Sequence, residues 1–149
     1  MRNALIPIIL GALVLSCLPQ VAGSAAAQTA PAFTEAGTDA TQVAAFLKCL
    51  QASVSLGNRL KVASLVQFPL KAWIDGEETL IESESEFHSR YGRIFDADMK
   101  KAIADAKVET LSVSQQGVTF DNGRIWFRPV AERKNALKIV SIGEPVQPR

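Results

Sequence analysis

The residues that could carry out chemistry are few in this chain, and their types and spacing match none of the common catalytic or metal centres. There is one histidine, His88, and the two cysteines are Cys17 and Cys49. A zinc site needs several such ligands together, and His88 has no companion at ligand spacing. The acids between Asp75 and Glu86 lack the glycine-turned loop and ordered oxygen spacing of a calcium site. The sequence therefore predicts no metal, no cofactor and no catalytic set.

Tyr91 is the polar side chain best placed to contact a ligand. It shares a helical stripe with Phe87 and Phe95, so its phenol is expected to point towards the core. A buried tyrosine hydroxyl usually finds a hydrogen-bond partner, either a ligand in a cavity or another core group. An enzymatic role would need a carboxylate beside Tyr91, an arrangement that would suit an isomerase or dehydratase acting on a small apolar substrate.

The N-terminal segment, residues 1–27, has the organisation of a signal peptide. Arg2 supplies a positive start, residues 4–18 form an apolar run, and residues 25–27 are three alanines suited to cleavage. The protein is therefore expected to be exported, either to the periplasm or outside the cell. In an alternative interpretation, residues 14–17 are a lipobox, which would anchor a lipoprotein to the membrane through Cys17.

The charge of the mature chain excludes one class of partner. The full chain has 16 basic and 15 acidic residues. Cleavage after Ala27 would remove one base, Arg2, and no acid, which leaves equal numbers. Nucleic acid binding needs a surplus of positive charge gathered on one face. Since the basic residues are scattered along the chain, we expect no nucleic acid partner.

The remaining chain predicts one α+β domain at residues 39–143, after a flexible lead-in at residues 28–38 and before a tail at residues 144–149. Capping residues and apolar periodicity indicate two helices, then a β-hairpin, then two more helices. Leu60, Ala63 and Leu65 are expected to continue the short second helix to about Val66. Residues 108–113 begin the final run of strands. Helices and strands that are segregated in this way favour helices packed on one face of a sheet.

The hairpin at Asn122-Gly123 predicts which side chains share a face. A two-residue loop at this dipeptide would place Phe120 opposite Ile125 and Thr119 opposite Trp126. Side chains alternate between the two faces of a strand, so one set must face the helices. The residues expected to face the helices are Val118, Phe120, Ile125 and Phe127.

Both tryptophans are expected on the other face of the sheet. Trp126 lies on the polar side of the hairpin, and Trp73 alternates with Ala72 and Ile74, which face the core. Neighbouring loops or strands could cover the two indole rings. Alternatively, Trp73 and Trp126 form an interface with another chain, because tryptophan is enriched at protein interfaces.

The order of the elements and a set of packing and turn residues resemble a known superfamily. The residues that carry the resemblance are Phe68-Pro69-Leu70, Gly76, Glu86-Phe87, Tyr91, Ile94-Phe95, Ala102-Ile103, Gly117-Val118, Gly123 and Ile125-Trp126-Phe127. The chain is similar to exported, uncharacterised bacterial members of the nuclear transport factor 2-like superfamily. This resemblance implies N-terminal helices on the concave face of a curved, mainly antiparallel sheet, which together form a cone with a cavity.

The function predicted from the sequence is an exported, non-catalytic binding domain with an apolar cavity. Its partner is expected to be a small apolar ligand, an envelope protein or a second copy of the chain, and a membrane only if Cys17 is lipidated. The alternative is an isomerase- or dehydratase-type enzyme that uses Tyr91. The residues predicted to line the cavity are Phe68, Leu70, Phe87, Tyr91, Phe120 and Ile125.

Overall fold

The computed structural model describes residues 32–143 of the chain. The predicted signal peptide, Cys17, residues 28–31 and the tail at residues 144–149 lie outside the described residues. No helix in the described range is long and apolar enough to cross a membrane.

Four α-helices occur in this range, and polar side chains cap their first turns. The side chains of Asp39, Asn58, Ser83 and Asp96 each accept a backbone N–H three residues further on. These four caps confirm the helix starts predicted from the sequence. The helices are α1 (Ala40–Ser55), α2 (Arg59–Ser64), α3 (Glu84–Ile94) and α4 (Ala97–Asp105).

Six strands form one curved, open sheet with the order β2-β1-β6-β5-β4-β3. Among residues 32–143, β1 and β6 are the only strands that pair in parallel, and the other neighbouring pairs are antiparallel. The mainly antiparallel sheet expected from the sequence is thus confirmed. The strands are β1 (Val66–Ile74), β2 (Glu77–Ile81), β3 (Ser112–Ser114), β4 (Gly117–Phe120), β5 (Ile125–Val130) and β6 (Ala136–Ile142).

The helices pack on one face of this sheet and enclose a single hydrophobic core. Phe46 of α1 stacks on Phe127 of β5, with ring centroids 4.7 Å apart. Ile139 of β6 and Leu70 of β1 are fully buried in the same cluster. The α+β class is therefore confirmed. The inner face of the sheet is the face that contacts the helices, and the outer face is the opposite one.

The hairpin between β4 and β5 has the predicted register. Phe120 pairs with Ile125 and Thr119 pairs with Trp126. The connecting turn is longer than predicted, because Asp121 has a positive φ of 52° and leaves the strand. The turn is closed by the backbone N–H of Arg124, which donates to the carbonyl of Asp121 at 3.1 Å. Since the register is unchanged, the predicted distribution of side chains between the two faces holds.

Two local predictions were wrong, and the apolar positions of the second helix are only partly buried. Leu60 is 70% exposed, whereas Val62 and Ala63 are buried. The strand predicted from residue 108 begins only at β3, because Val108–Thr110 form a 3₁₀ helix in which Thr110 bonds back to Lys107. The predicted flexible lead-in includes a second 3₁₀ helix, Phe33–Ala36, whose phenylalanine is buried in the core. Packed structure therefore begins before the predicted domain boundary at residue 39.

Candidate functional site

The six residues predicted to line an interior cavity lie together on the core side of the sheet. Five of them are at most 4% exposed, and Phe68 is partly buried at the margin of the core. Phe68 borders an open groove on the outer face, whereas the other five residues border neither that groove nor a smaller cavity between α1 and α4. The five buried residues are Leu70, Phe87, Tyr91, Phe120 and Ile125.

Phe87 is the centre of an aromatic cluster within this core. Its ring meets Phe68, Tyr91 and Phe95 edge to face, at centroid distances of 5.8, 5.8 and 6.0 Å. Tyr91 and Phe95 stack on each other at 4.8 Å. Such separations are those of rings in direct contact. The side chains predicted to surround a ligand therefore surround one another.

Tyr91 has a buried hydroxyl with no hydrogen-bond partner among residues 32–143. Burial raises the pKa of the phenol, and the positive charge of Arg59 acts in the opposite direction. The guanidinium carbon of Arg59 lies 5.1 Å from the ring centroid, a cation–π distance. The carboxylate that the enzyme alternative requires is not within hydrogen-bond distance of this hydroxyl in that part of the chain.

A continuous row of paired residues crosses the outer face of the sheet. It runs from Leu80 through Lys71, Ser141 and Trp126 to Thr119. Paired residues on neighbouring strands point to the same side. Trp126 therefore lies near the middle of the face that points away from the helices, as the sequence predicted.

Trp126 forms part of the open groove on this outer face, which has a volume of about 1190 Å³. The indole is partly buried, and Lys71 and Arg128 lie on neighbouring positions of the floor. The groove walls come from the start of β1, the turn between β3 and β4, and the connection between β5 and β6. The amide and proline side chains of these walls are Gln67, Pro69, Gln115, Gln116, Pro129 and Asn135.

Trp73 lies on the outer face but outside the groove. It is 38% exposed and pairs across the β1–β2 hairpin with Glu78. Leu80, which borders the groove, is 48% exposed on the same hairpin. The structure thus places both tryptophans on the predicted face and brings only Trp126 into the groove.

Arg128 borders the groove, and three further cations lie near it outside the groove lining. Arg128 on β5 pairs directly with Lys138 on β6. Burial lowers the pKa of Lys138, and the charges of Arg133 and Lys61 lower it further. The ammonium group of Lys138 donates to the backbone carbonyl of Ser64 at the end of α2. We call the four residues Lys61, Arg128, Arg133 and Lys138 the basic end.

Sequence reasoning missed both the groove walls and the basic end. The four cations come from α2, β5, β6 and the 3₁₀ helix Ala131–Arg133, so no run of the sequence contains them. The one available signal was the predicted alternation along β5, which places Trp126 and Arg128 on the same face. Applied to β6 as well, alternation would have placed Lys138 on the face opposite to that of Leu137 and Ile139.

The smaller cavity, of about 430 Å³, lies between the end of α1 and α4. Gln51 crosses it, and its amide donates to the carbonyls of Ile103 and Ala106, both at 2.9 Å. The carbonyl of Ile103 also accepts the backbone N–H of Ala106 at 3.3 Å. The amide of Gln51 is therefore engaged in joining α1 to the end of α4.

The remaining candidates for chemistry stand apart from the groove. His88 lies 3.4 Å from Glu84 on the same helix, and Cys49 is a partly buried free thiol on α1. Within the described residues, no group of three or more His, Cys, Asp or Glu side chains could hold a metal ion.

Comparison with protein-family models, curated proteins and solved structures found no match to this chain. A functional assignment must therefore rest on the geometry of the outer face.

Proposed function

We propose that this chain is a non-catalytic binding domain whose outer-face groove holds a segment of a partner polypeptide. The observation that carries the proposal is Trp126, a partly buried indole in an open groove on the face away from the core. Leaving a large aromatic ring in contact with water is unfavourable, and a partner that covered it would remove apolar surface from solvent.

The shape of the groove favours a polypeptide over a small molecule. Its volume of about 1190 Å³ lies above the range of about 300–1,000 Å³ that is usual for small-molecule pockets. Its walls carry amide side chains such as Gln67, Gln115 and Asn135, which can each donate and accept hydrogen bonds. An extended backbone offers the matching donors and acceptors along its length.

The alternatives from the sequence have less support. The enzyme would need a carboxylate at Tyr91, and an interior ligand would need space among residues that pack against one another as a core. A second copy of the chain could also cover the outer face. Native mass spectrometry of the purified protein tests that arrangement, since it reports a dimer directly.

The first prediction concerns export, which we propose together with membership of the nuclear transport factor 2-like superfamily. The order of two helices, a hairpin, two helices and four strands supports the superfamily assignment. We expect the mature protein from an exporting host to begin at Gln28. Intact-mass measurement checks this prediction. A mass that corresponds to a diacylglyceryl group on Cys17, or to an unprocessed chain, would contradict it.

The second prediction is that Trp126→Ala abolishes partner binding. The probe is a set of labelled peptides selected from a random display library on the purified protein, with affinities measured by fluorescence polarisation. Truncating a central aromatic contact typically costs about 2 kcal/mol or more, so affinity should fall by at least about 30-fold. The circular dichroism melt of the variant verifies that it is folded.

Trp73→Ala is the matched control for this experiment. It removes the same side chain from the same face, but at a position outside the groove. We expect its peptide affinities to remain within about threefold of the wild-type values, because contacts outside the centre of an interface contribute little. If the peptides bound Trp126→Ala with the same affinity as the wild type, the groove would be excluded as the binding site.

A further inference from the structure

We infer that the segment bound in the groove is acidic, with its carboxylates seated at the basic end and its apolar side chains against Trp126. This inference rests on the proposed function and specifies the chemistry of the partner. It is carried by the arrangement of charge at one end of the outer face.

Arg128 and Lys138 are paired residues on neighbouring strands, so their side chains leave the sheet on the same side. Trp126 lies two residues before Arg128 on β5, so its side chain also points to the outer face. Trp126 and Arg128 both border the groove. An anionic group that entered the groove beside the indole would therefore meet the guanidinium of Arg128.

Two further cations reinforce the pair. Arg133 and Lys61 are close enough to Lys138 for their charges to act on its ammonium group. That group is held at the carbonyl of Ser64, which fixes its position at the end of β6. The cluster therefore presents four positive charges whose location is set by four separate elements of the fold.

No carboxylate among residues 32–143 forms an ion pair with any member of the basic end. Elsewhere in that range such pairs do occur, for example Lys71 with Glu78 at 3.6 Å and Arg90 with Glu86 at 3.1 Å. Glu132 lies beside Arg133 in the sequence and borders the groove, so it offsets part of the charge. A positive excess remains to be neutralised by a partner.

The surroundings of the basic end favour a polypeptide carboxylate over a phosphate polymer. Arg128 is the member of the basic end that borders the groove, and the other charged residues of the lining are Lys71 and Glu132. Nucleic acid binding requires cations along the whole path of the backbone. Residues two apart on a strand are separated by about 6.6–6.8 Å. A peptide extended along β5 would thus place an apolar side chain on Trp126 and an acid near Arg128.

The experiment compares three fluorescein-labelled peptides of equal length that repeat leucine-serine-X-serine, where X is glutamate, glutamine or lysine. Leucine and X are two residues apart in each peptide, so they lie on the same face of an extended chain. Affinities for the purified protein are measured by fluorescence polarisation at low and physiological salt. We expect the glutamate peptide to bind at least about tenfold more tightly than the glutamine peptide, a ratio that falls as salt screens the charges. The lysine peptide should bind more weakly than either.

The double variant Arg128→Glu/Arg133→Glu tests whether the peptide's carboxylates bind at the basic end. It leaves the contact of Lys138 with α2 unaltered. We expect it to reverse the preference, so that the lysine peptide binds more tightly than the glutamate peptide. Lys48→Glu/Lys107→Glu is the matched control, because it makes the same change in net charge at exposed positions on other elements. This control should keep the preference for glutamate.

The outcomes separate this inference from the proposed function. Equal affinity for the glutamate and glutamine peptides, with binding still lost in Trp126→Ala, would overturn the inference and leave the binding groove in place. The inference would also be overturned if polyphosphate bound at the basic end with a higher affinity than the glutamate peptide. If none of the three peptides binds, and the selected peptides ignore Trp126, the proposed function itself fails.

Discussion

Replacing Phe87 by alanine is expected to lower the free energy of unfolding by about 3–5 kcal/mol, which is a large part of the total stability of a small domain. The ring is fully buried, and its neighbours Phe68, Tyr91 and Phe95 contact it on three sides. Truncation would remove apolar surface and leave a void that these rings can fill only in part.

The measurement is urea denaturation followed by circular dichroism, with the midpoint and the slope fitted separately. Tyr91→Phe is the control from the same cluster, because it removes only a buried hydroxyl that has no partner in the described part of the chain. We expect that control to unfold at the wild-type midpoint or slightly above it, since no hydrogen bond is lost.

This prediction also tests the interior cavity expected from the sequence. If Phe87 lined an existing space, its truncation would enlarge that space without creating a new void in close-packed surroundings. The cost would then approach the transfer term alone, about 1.5–3 kcal/mol. If Phe87→Ala lowered the free energy of unfolding by an amount near the lower end of that range, the result would support the predicted cavity and contradict the packed core.

Local chemistry explains why much of the fold could be predicted. A capping side chain such as Asp39 or Asn58 acts within three residues, so the helix starts are encoded nearby. The register across Asn122-Gly123 similarly depends on one turn and on the alternation of apolar residues beside it. Those signals identified the face that carries Trp126.

Other features depend on contacts that the sequence does not encode locally. The parallel pairing of β1 with β6 joins segments about half the chain apart, and no turn residue specifies it. The exposure of Leu60 likewise depends on how α2 lies against α3 and β1, and helical periodicity alone does not determine it. Helical periodicity shows that Phe87 points inward, and strand alternation shows the same for Ile125, but neither pattern shows whether the interior is filled.

The candidate site was predictable only in part for the same reason. The position of Trp126 on the outer face follows from one hairpin. Its groove requires walls from the start of β1 and from two separate connections. The basic end requires Lys61 of α2 and Lys138 of β6 to come close together. Such a site arises from the tertiary fold, which a pattern confined to one segment cannot describe.

Gly117→Ala is expected to destabilise the domain by about 2–5 kcal/mol, through backbone strain and a steric clash together. Gly117 begins β4 with a φ of 139°, a region that is essentially restricted to glycine. A β-carbon built at this position would lie 2.7 Å from the carbonyl oxygen of Phe127 and 3.1 Å from the β-carbon of Arg128. Neither atom belongs to a flexible side-chain end, so β4 would have to move away from β5.

Gly92→Ala is the matched control, with an expected effect of the opposite sign. Gly92 is exposed within α3, and a β-carbon there would meet no atom within 4 Å. Alanine should therefore raise the free energy of unfolding by about 0.5–1 kcal/mol, because glycine is a poor helix former. Urea denaturation of both variants measures the difference. If Gly117→Ala matched the wild type in stability, the close approach of β4 to β5 would be wrong, and with it the wall of the groove at Gln115 and Gln116, because Gly117 joins that turn to the sheet.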